Sequence, residues 1–147
     1  MFETIMAATD GSHSAEKALA FAVELARKHG SKLVFCTVTN RHLAMLETEE
    51  PDPIPADTGI DSAVTDLGSE VLRRAEETAR NAGFDQYELC EVYGTNIGAT
   101  IVKQAEAHGA DHIVVGSTGQ TGLARLLLGS VASSVIHYAH CPVTVVR

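Results

Sequence analysis

HIVVGSTGQTGLARLLLGSV, residues 112–131, passes from a short apolar run into a loop with glycines at Gly116, Gly119, Gly122 and Gly129, then into a helical pattern. The run His112 to Val115 reads as a strand bounded by turn residues. Glycine lets the backbone take positive φ or come close to an anion. From Gly129-Ser130-Val131 onward the pattern is helical, and the first N–H groups of a helix, with its dipole, favour bound phosphate. Ser130 adds a hydroxyl that can donate to a phosphate or ligate a phosphate-bound Mg²⁺. The segment is therefore an anion cradle between a strand and a helix.

Reading outward, the same alternation fills the chain. Thr4 to Thr9 is an apolar strand that ends at Asp10-Gly11-Ser12, and Ala15, Leu19, Ala22, Val23 and Ala26 follow at helical spacing. Gly30 stands where a helix-terminating glycine belongs, and Lys32 to Val38 is the second strand. Residues 41–61 carry Glu47, Glu49, Glu50 and the prolines Pro51, Pro53 and Pro55, which oppose helix and interior strand, so an exposed acidic loop is expected. Val64, Leu67, Val71, Leu72, Ala75, Ala79 and Ala82 form the stripe of a second helix stopped by Gly83. Gln86 to Tyr93 makes a third strand, and Ile97, Ile101, Val102 and Ala105 a third helix ending at Gly109. Val131 to about Ala139 is the fourth helix and Pro142 to Val146 the fifth strand.

Strands alternating with helices give an α/β fold, because each crossover must return over a parallel sheet. The expected architecture is one doubly wound, Rossmann-like domain over residues 1–147, with five parallel strands ordered 3-2-1-4-5 and helices on both faces. Ligands in such sheets bind beyond the carboxyl ends of the strands where the order reverses. That point lies between strands 1 and 4, which makes Asp10-Gly11-Ser12 and the Gly116 loop neighbours. Asp10 there is expected to meet a ribose hydroxyl or Mg²⁺ rather than only to cap its helix. Ser12 and Ser14 read as helix-start residues, with no neighbouring base to make either a nucleophile.

Composition narrows the function. The chain has 147 residues and a formal charge of -8, so it lacks the cationic surface that nucleic acid or anionic lipid would require. No apolar run approaches the roughly 20 residues of a membrane span, and residues 1–9 lack the plan of a secretory signal, so a cytoplasmic location is expected. Cys36, Cys90 and Cys141 are odd in number and scattered, as suits buried or incidental thiols in a reducing compartment. His137, His140 and Cys141 lack the further ligands of a zinc site, and the two histidines read as a solvent-exposed pair at a helix end, so no protein-bound metal is expected. His13, His29, His42, His108 and His112 read as surface or turn residues. G-x-x-x-x-G-K-[ST] is absent, and no G-x-G-x-x-G follows strand 1, which removes the P-loop and dinucleotide readings.

The pattern G-x2-G-x9-G-[ST] at Gly116, Gly119, Gly129 and Ser130, followed by a helix and Cys141-Pro142-Val143, resembles the ATP-binding branch of the universal stress protein family. The likeness runs from Thr4 to Val146 and is thinnest in the acidic loop. It implies a cytosolic regulator that binds ATP with Mg²⁺, forms a homodimer through its last strand, acts on a regulatory partner and has no strong catalysis of its own. By position, Ala8, Thr9, Asp10 and Val38 would line the adenosine pocket, and Gly116, Gly119, Gly129, Ser130 and Val131 would hold phosphates. Family members often carry a basic residue where Thr118 and Gln120 stand. Gln120, at the phosphates, offers no charge, so ADP and AMP compete with ATP as the expected ligand. A slow ATPase or phosphotransferase and a nucleotide-free dimeric interaction module are the other readings. An exposed apolar edge at Val143 to Val146 suits a dimer under all of them.

Overall fold

The computed structural model describes residues 2–40, 60–118 and 127–147, and for residues 60–66 the backbone alone. Its elements are β1 (Thr4–Ala8), α1 (His13–His29), β2 (Lys32–Thr39), α2 (Ile60–Asn81), β3 (Tyr87–Tyr93), α3 (Ile97–Ala107), β4 (His112–Gly116), α4 (Ser130–Tyr138) and β5 (Val143–Val146). The five strands are parallel and ordered β3-β2-β1-β4-β5, as the alternation predicts. The acidic segment 41–59 lies outside the described residues. Ile60 and Asp61 belong to α2, which begins four residues before the first apolar residue of its stripe.

Each helix starts and stops for a local reason. Ser12 caps α1 by accepting the Ala15 N–H at 3.2 Å, and Asn96 caps α3 by accepting the Ala99 N–H at 3.1 Å. At Gly30, φ is 68°, and the Gly30 and Ser31 N–H groups both return to the Ala26 carbonyl, closing α1 with a left-handed residue.

The inner strands β1, β2 and β4 are nearly unbroken buried runs because both faces of the sheet are covered there. On one face Ile5, Ala7, Leu33, Phe35 and Val114 meet Leu19, Ala22 and Val23 of α1 and Leu72, Ala75 and Ala79 of α2. On the other, Met6, Ala8, Val34, Cys36, Ile113 and Val115 meet Ile101, Val102 and Ala105 of α3 and Ala132 and Val135 of α4. Phe35 is wholly buried at the centre of the first layer; cutting it to alanine would cost about 3–5 kcal/mol.

Two sequence expectations fail in this frame. Leu67 is 63% exposed, because the buried stripe of α2 runs through 68, 72, 75 and 79 and places Leu67 about 100° away. Gly68 takes the inward position, where a Cβ would collide with the Glu91 carboxylate of β3. His112, expected at the surface, is 6% exposed. It opens an inner strand, its ring lies 4.4 Å from that of Phe2, and its Nε2 is 2.9 Å from Thr144 Oγ1. Burial depresses its basicity, with Asp111 opposing weakly, and its Nδ1 is buried without a partner among the described residues. His140 is exposed, as expected, with its Nε2 3.1 Å from the Ala110 carbonyl and its Nδ1 3.6 Å from Glu106. His137 is exposed and meets Tyr138 edge-on.

Candidate nucleotide site at the carboxyl edge of the sheet

The exits of β1 and β4 are adjacent, since Ala7 pairs with Val114 and each strand leaves the sheet a few residues later. The β1 exit is held by its own groups. Thr9 donates its N–H to the Cys36 carbonyl at 2.9 Å and accepts the Gly11 N–H on Oγ1 at 3.2 Å. Asp10 Oδ1 accepts the Ser12 N–H at 2.9 Å, so Asp10 shapes the turn while Ser12 caps the helix. Gly11 has φ of 78°, the left-handed region a side chain disfavours.

The β4 exit is held by backbone approach. A Cβ on Gly116 would stand 2.7 Å from Ser14 Oγ and 2.9 Å from the Ser14 backbone, so only glycine lets β4 leave the sheet against the first turn of α1. Ser14 Oγ then accepts the Thr118 N–H at 3.4 Å. The Ser117 N–H donates to the Val146 carbonyl at 2.8 Å, and the Gly129 N–H donates to the Ser117 carbonyl at 2.7 Å. The first bond continues the β4–β5 ladder, and the second joins the two stems of the glycine loop at the start of α4. Ser14 and Ser117 were not singled out in the sequence as site residues. Ser14 meets Thr118 across 104 residues, and Ser117 meets Val146 of β5 and Gly129 of the loop stem, contacts that no local pattern records.

At the start of α4, Gly129 is extended, with φ of −61° and ψ of 160°, and has no side chain to cap the helix. The first intrahelical bond runs from the Ser133 N–H to the Gly129 carbonyl at 3.0 Å, so the Ser130, Val131 and Ala132 N–H groups precede the helical ladder. Glycine is thus used at Gly116 for close approach, and at neither Gly116 nor Gly129 for positive φ.

Ala8 lies in the second core layer, with Val38 and Val131 partly buried against it, so these three are on the α3/α4 side of the sheet. Asp10 and Gly116 are half-buried at the sheet edge and Ser130 is exposed. The structure therefore gathers Ala8, Thr9, Asp10, Val38, Gly116, Gly129, Ser130 and Val131 at one end of the sheet. Gly119 and Gln120 lie outside the described residues, as does Arg125. None of the eight gathered residues carries a cation, so any anion held by them is held by N–H and hydroxyl dipoles. Among the described residues no cluster of three or more His, Cys, Asp or Glu could hold a metal, and no helix is long and apolar enough to cross a membrane.

Residues 1–147 match the model of the Universal stress protein family. A universal stress protein of Methanocaldococcus jannaschii is 33% identical over 151 residues, covering 100% of this chain and 83% of the relative. A universal stress protein solved in complex with cAMP is 25% identical with a TM-score of 0.72, covering 99% of this chain and 97% of that one. One from Archaeoglobus fulgidus, solved in complex with dAMP, is 25% identical with a TM-score of 0.69, covering 100% and 98%.

Proposed function

The chain belongs to the universal stress protein family, and from that premise we propose that it is a regulatory protein that binds an adenine nucleotide where the exits of β1 and β4 meet. One observation carries the reading: α4 begins at the carboxyl edge of the sheet, after β4 at the switch point, with a glycine at its N-cap and no side-chain cap among the described residues. Adenosine lies against Ala8 and Val38 beside Thr9, and Asp10 takes the ribose. Gly116, Gly129, Ser130 and Val131 take the phosphates together with Gly119 and Gln120. Mg²⁺ is carried by the nucleotide. Binding stabilises the state that holds the nucleotide, and that state sets what the protein presents to a regulatory partner in the cytoplasm.

The relatives solved with cAMP and dAMP hold adenine nucleotides with a single phosphate, and they favour a monophosphate as the alternative to ATP. The gathered residues bring no cation to a second or third phosphate. Mass spectrometry of nucleotide released from the purified, denatured protein, with calorimetry against Mg·ATP, ADP and AMP, separates these ligands. Absence of released nucleotide and of binding heat with all three would leave the interaction-module reading standing. Under the proposal β5, an edge strand of four half-buried residues, pairs with a second copy. A monomer in sedimentation at tens of micromolar would count against that pairing.

A further inference from the structure

Away from the nucleotide region, Cys36 and Cys90 are register partners on the adjacent parallel strands β2 and β3. Their side chains share the second core layer, and both thiols are free. Adjacent strands run about 4.8 Å apart, inside the Cα separation of about 4.4–6.8 Å that a disulfide spans. Cys36 is wholly buried, and Cys90, on the edge strand β3, is 7% exposed.

The surroundings of Cys90 are polar on one side. The Gln104 amide approaches its sulfur at 3.8 Å, and either end of that amide can face it, the carbonyl toward a thiol or the NH₂ toward a thiolate. His108 closes α3 beside the same stretch of β3. Glu88 Oε2 lies 3.7 Å from His108 Nδ1, and Lys32 Nζ reaches the other oxygen of that carboxylate at 2.6 Å. Cys36, its register partner, draws the Cys90 thiol below its ordinary value; burial opposes this and His108 reinforces it. The neighbouring Cys90 sulfur, with burial, pushes Cys36 up.

We propose that Cys36 and Cys90 are a peroxide-responsive thiol pair, Cys90 the attacking sulfur and Cys36 the resolving one, with His108 as the positioning residue beside Cys90. In the first step the Cys90 sulfur attacks a peroxide oxygen, the O–O bond breaks, and the departing oxygen leaves as water, giving a sulfenic acid. In the second the Cys36 sulfur attacks Cys90, the S–O bond breaks, and hydroxide leaves with the Cys36 proton as a second water. The balance is two thiols and one hydrogen peroxide to one disulfide and two waters. Both sulfurs are oxidised and both peroxide oxygens reduced.

The test treats the reduced, full-length protein with hydrogen peroxide and reads intact mass and mapped peptides after alkylation in denaturant. The expected product has lost two hydrogens, contains a Cys36–Cys90 cross-linked peptide and returns to the starting mass with dithiothreitol. In Cys36→Ser the sulfenic acid on Cys90 accumulates and is trapped by dimedone, whereas in Cys90→Ser Cys36 stays reduced. In His108→Gln the pH profile of disulfide formation moves to higher pH; an unmoved profile would remove His108 from the proposal. Wild-type protein that keeps both thiols, or that oxidises Cys141 ahead of them, would overturn the pair.

Discussion

The two strand-to-helix turns at the nucleotide end are completed in different ways. Between β1 and α1 the chain finishes its own turn: Asp10 holds the Ser12 N–H, Thr9 holds the Gly11 N–H, and Ser12 caps the helix. Between β4 and α4 the stems are clamped through Ser117, but the helix begins at Gly129 with no side-chain cap. A helix start without its own acceptor leaves N–H groups for water or for an anion. The closed turn therefore supplies a fixed wall, and the open one supplies donors.

The largest expected effect comes from Gly116→Val, which forces a branched side chain into the Ser14 backbone. It would cost about 1–3 kcal/mol of stability, as overpacking does, and would abolish adenine nucleotide binding by pushing β4 off α1. A lowered urea midpoint with nucleotide binding intact would show that the two exits need not be held together. Next, Gly129→Asp gives α4 the cap it lacks. Melting of the nucleotide-free protein should rise by the equivalent of a few tenths of a kcal/mol, while nucleotide affinity falls at least about tenfold through charge repulsion. Unchanged affinity would mean that the phosphates lie elsewhere.

Ser12→Ala probes the closed turn and should cost about 1 kcal/mol in denaturant melts, with nucleotide affinity changed less than about threefold, roughly 0.7 kcal/mol. A larger binding loss would make the closed turn a donor site too. The smallest effect on nucleotide binding is at His112, at the opposite end of the sheet from both turns, where substitution reads out as a pH dependence of stability. Its folded basicity is depressed, so the unfolded chain binds the proton more readily. Its contribution is complete above the unfolded value near 6.5 and is lost as pH falls from there toward the lower folded value, by at most about 1.4 kcal/mol per pH unit. Melts of wild type and His112→Gln between neutral and mildly acidic pH should diverge by that slope, and parallel curves would remove the effect.

The β-α alternation, the strand order and the glycine stops at Gly30 and Gly83 were legible because each rests on local periodicity or backbone conformation. The α2 stripe was misread at Leu67, since Gly68 offers no hydrophobicity to count yet occupies the inward position. His112 was misread because its burial comes from contacts with Phe2 and Thr144, which strand order alone does not record. At the nucleotide end, topology brought Asp10 beside Gly116, but the roles of Ser14 and Ser117 are tertiary contacts with no sequence signature. Asp10 proved to hold a turn, and that bond does not test its place beside a ribose.

The central claim is that the open start of α4 holds the phosphate. The most direct measurement is a nucleotide titration of amide-labelled protein followed by NMR. The account predicts that the Ser130 and Val131 N–H resonances shift strongly and saturably with AMP or Mg·ATP, while the α1-capping Ala15 N–H moves little. Saturable binding that leaves Ser130 and Val131 in place would contradict it.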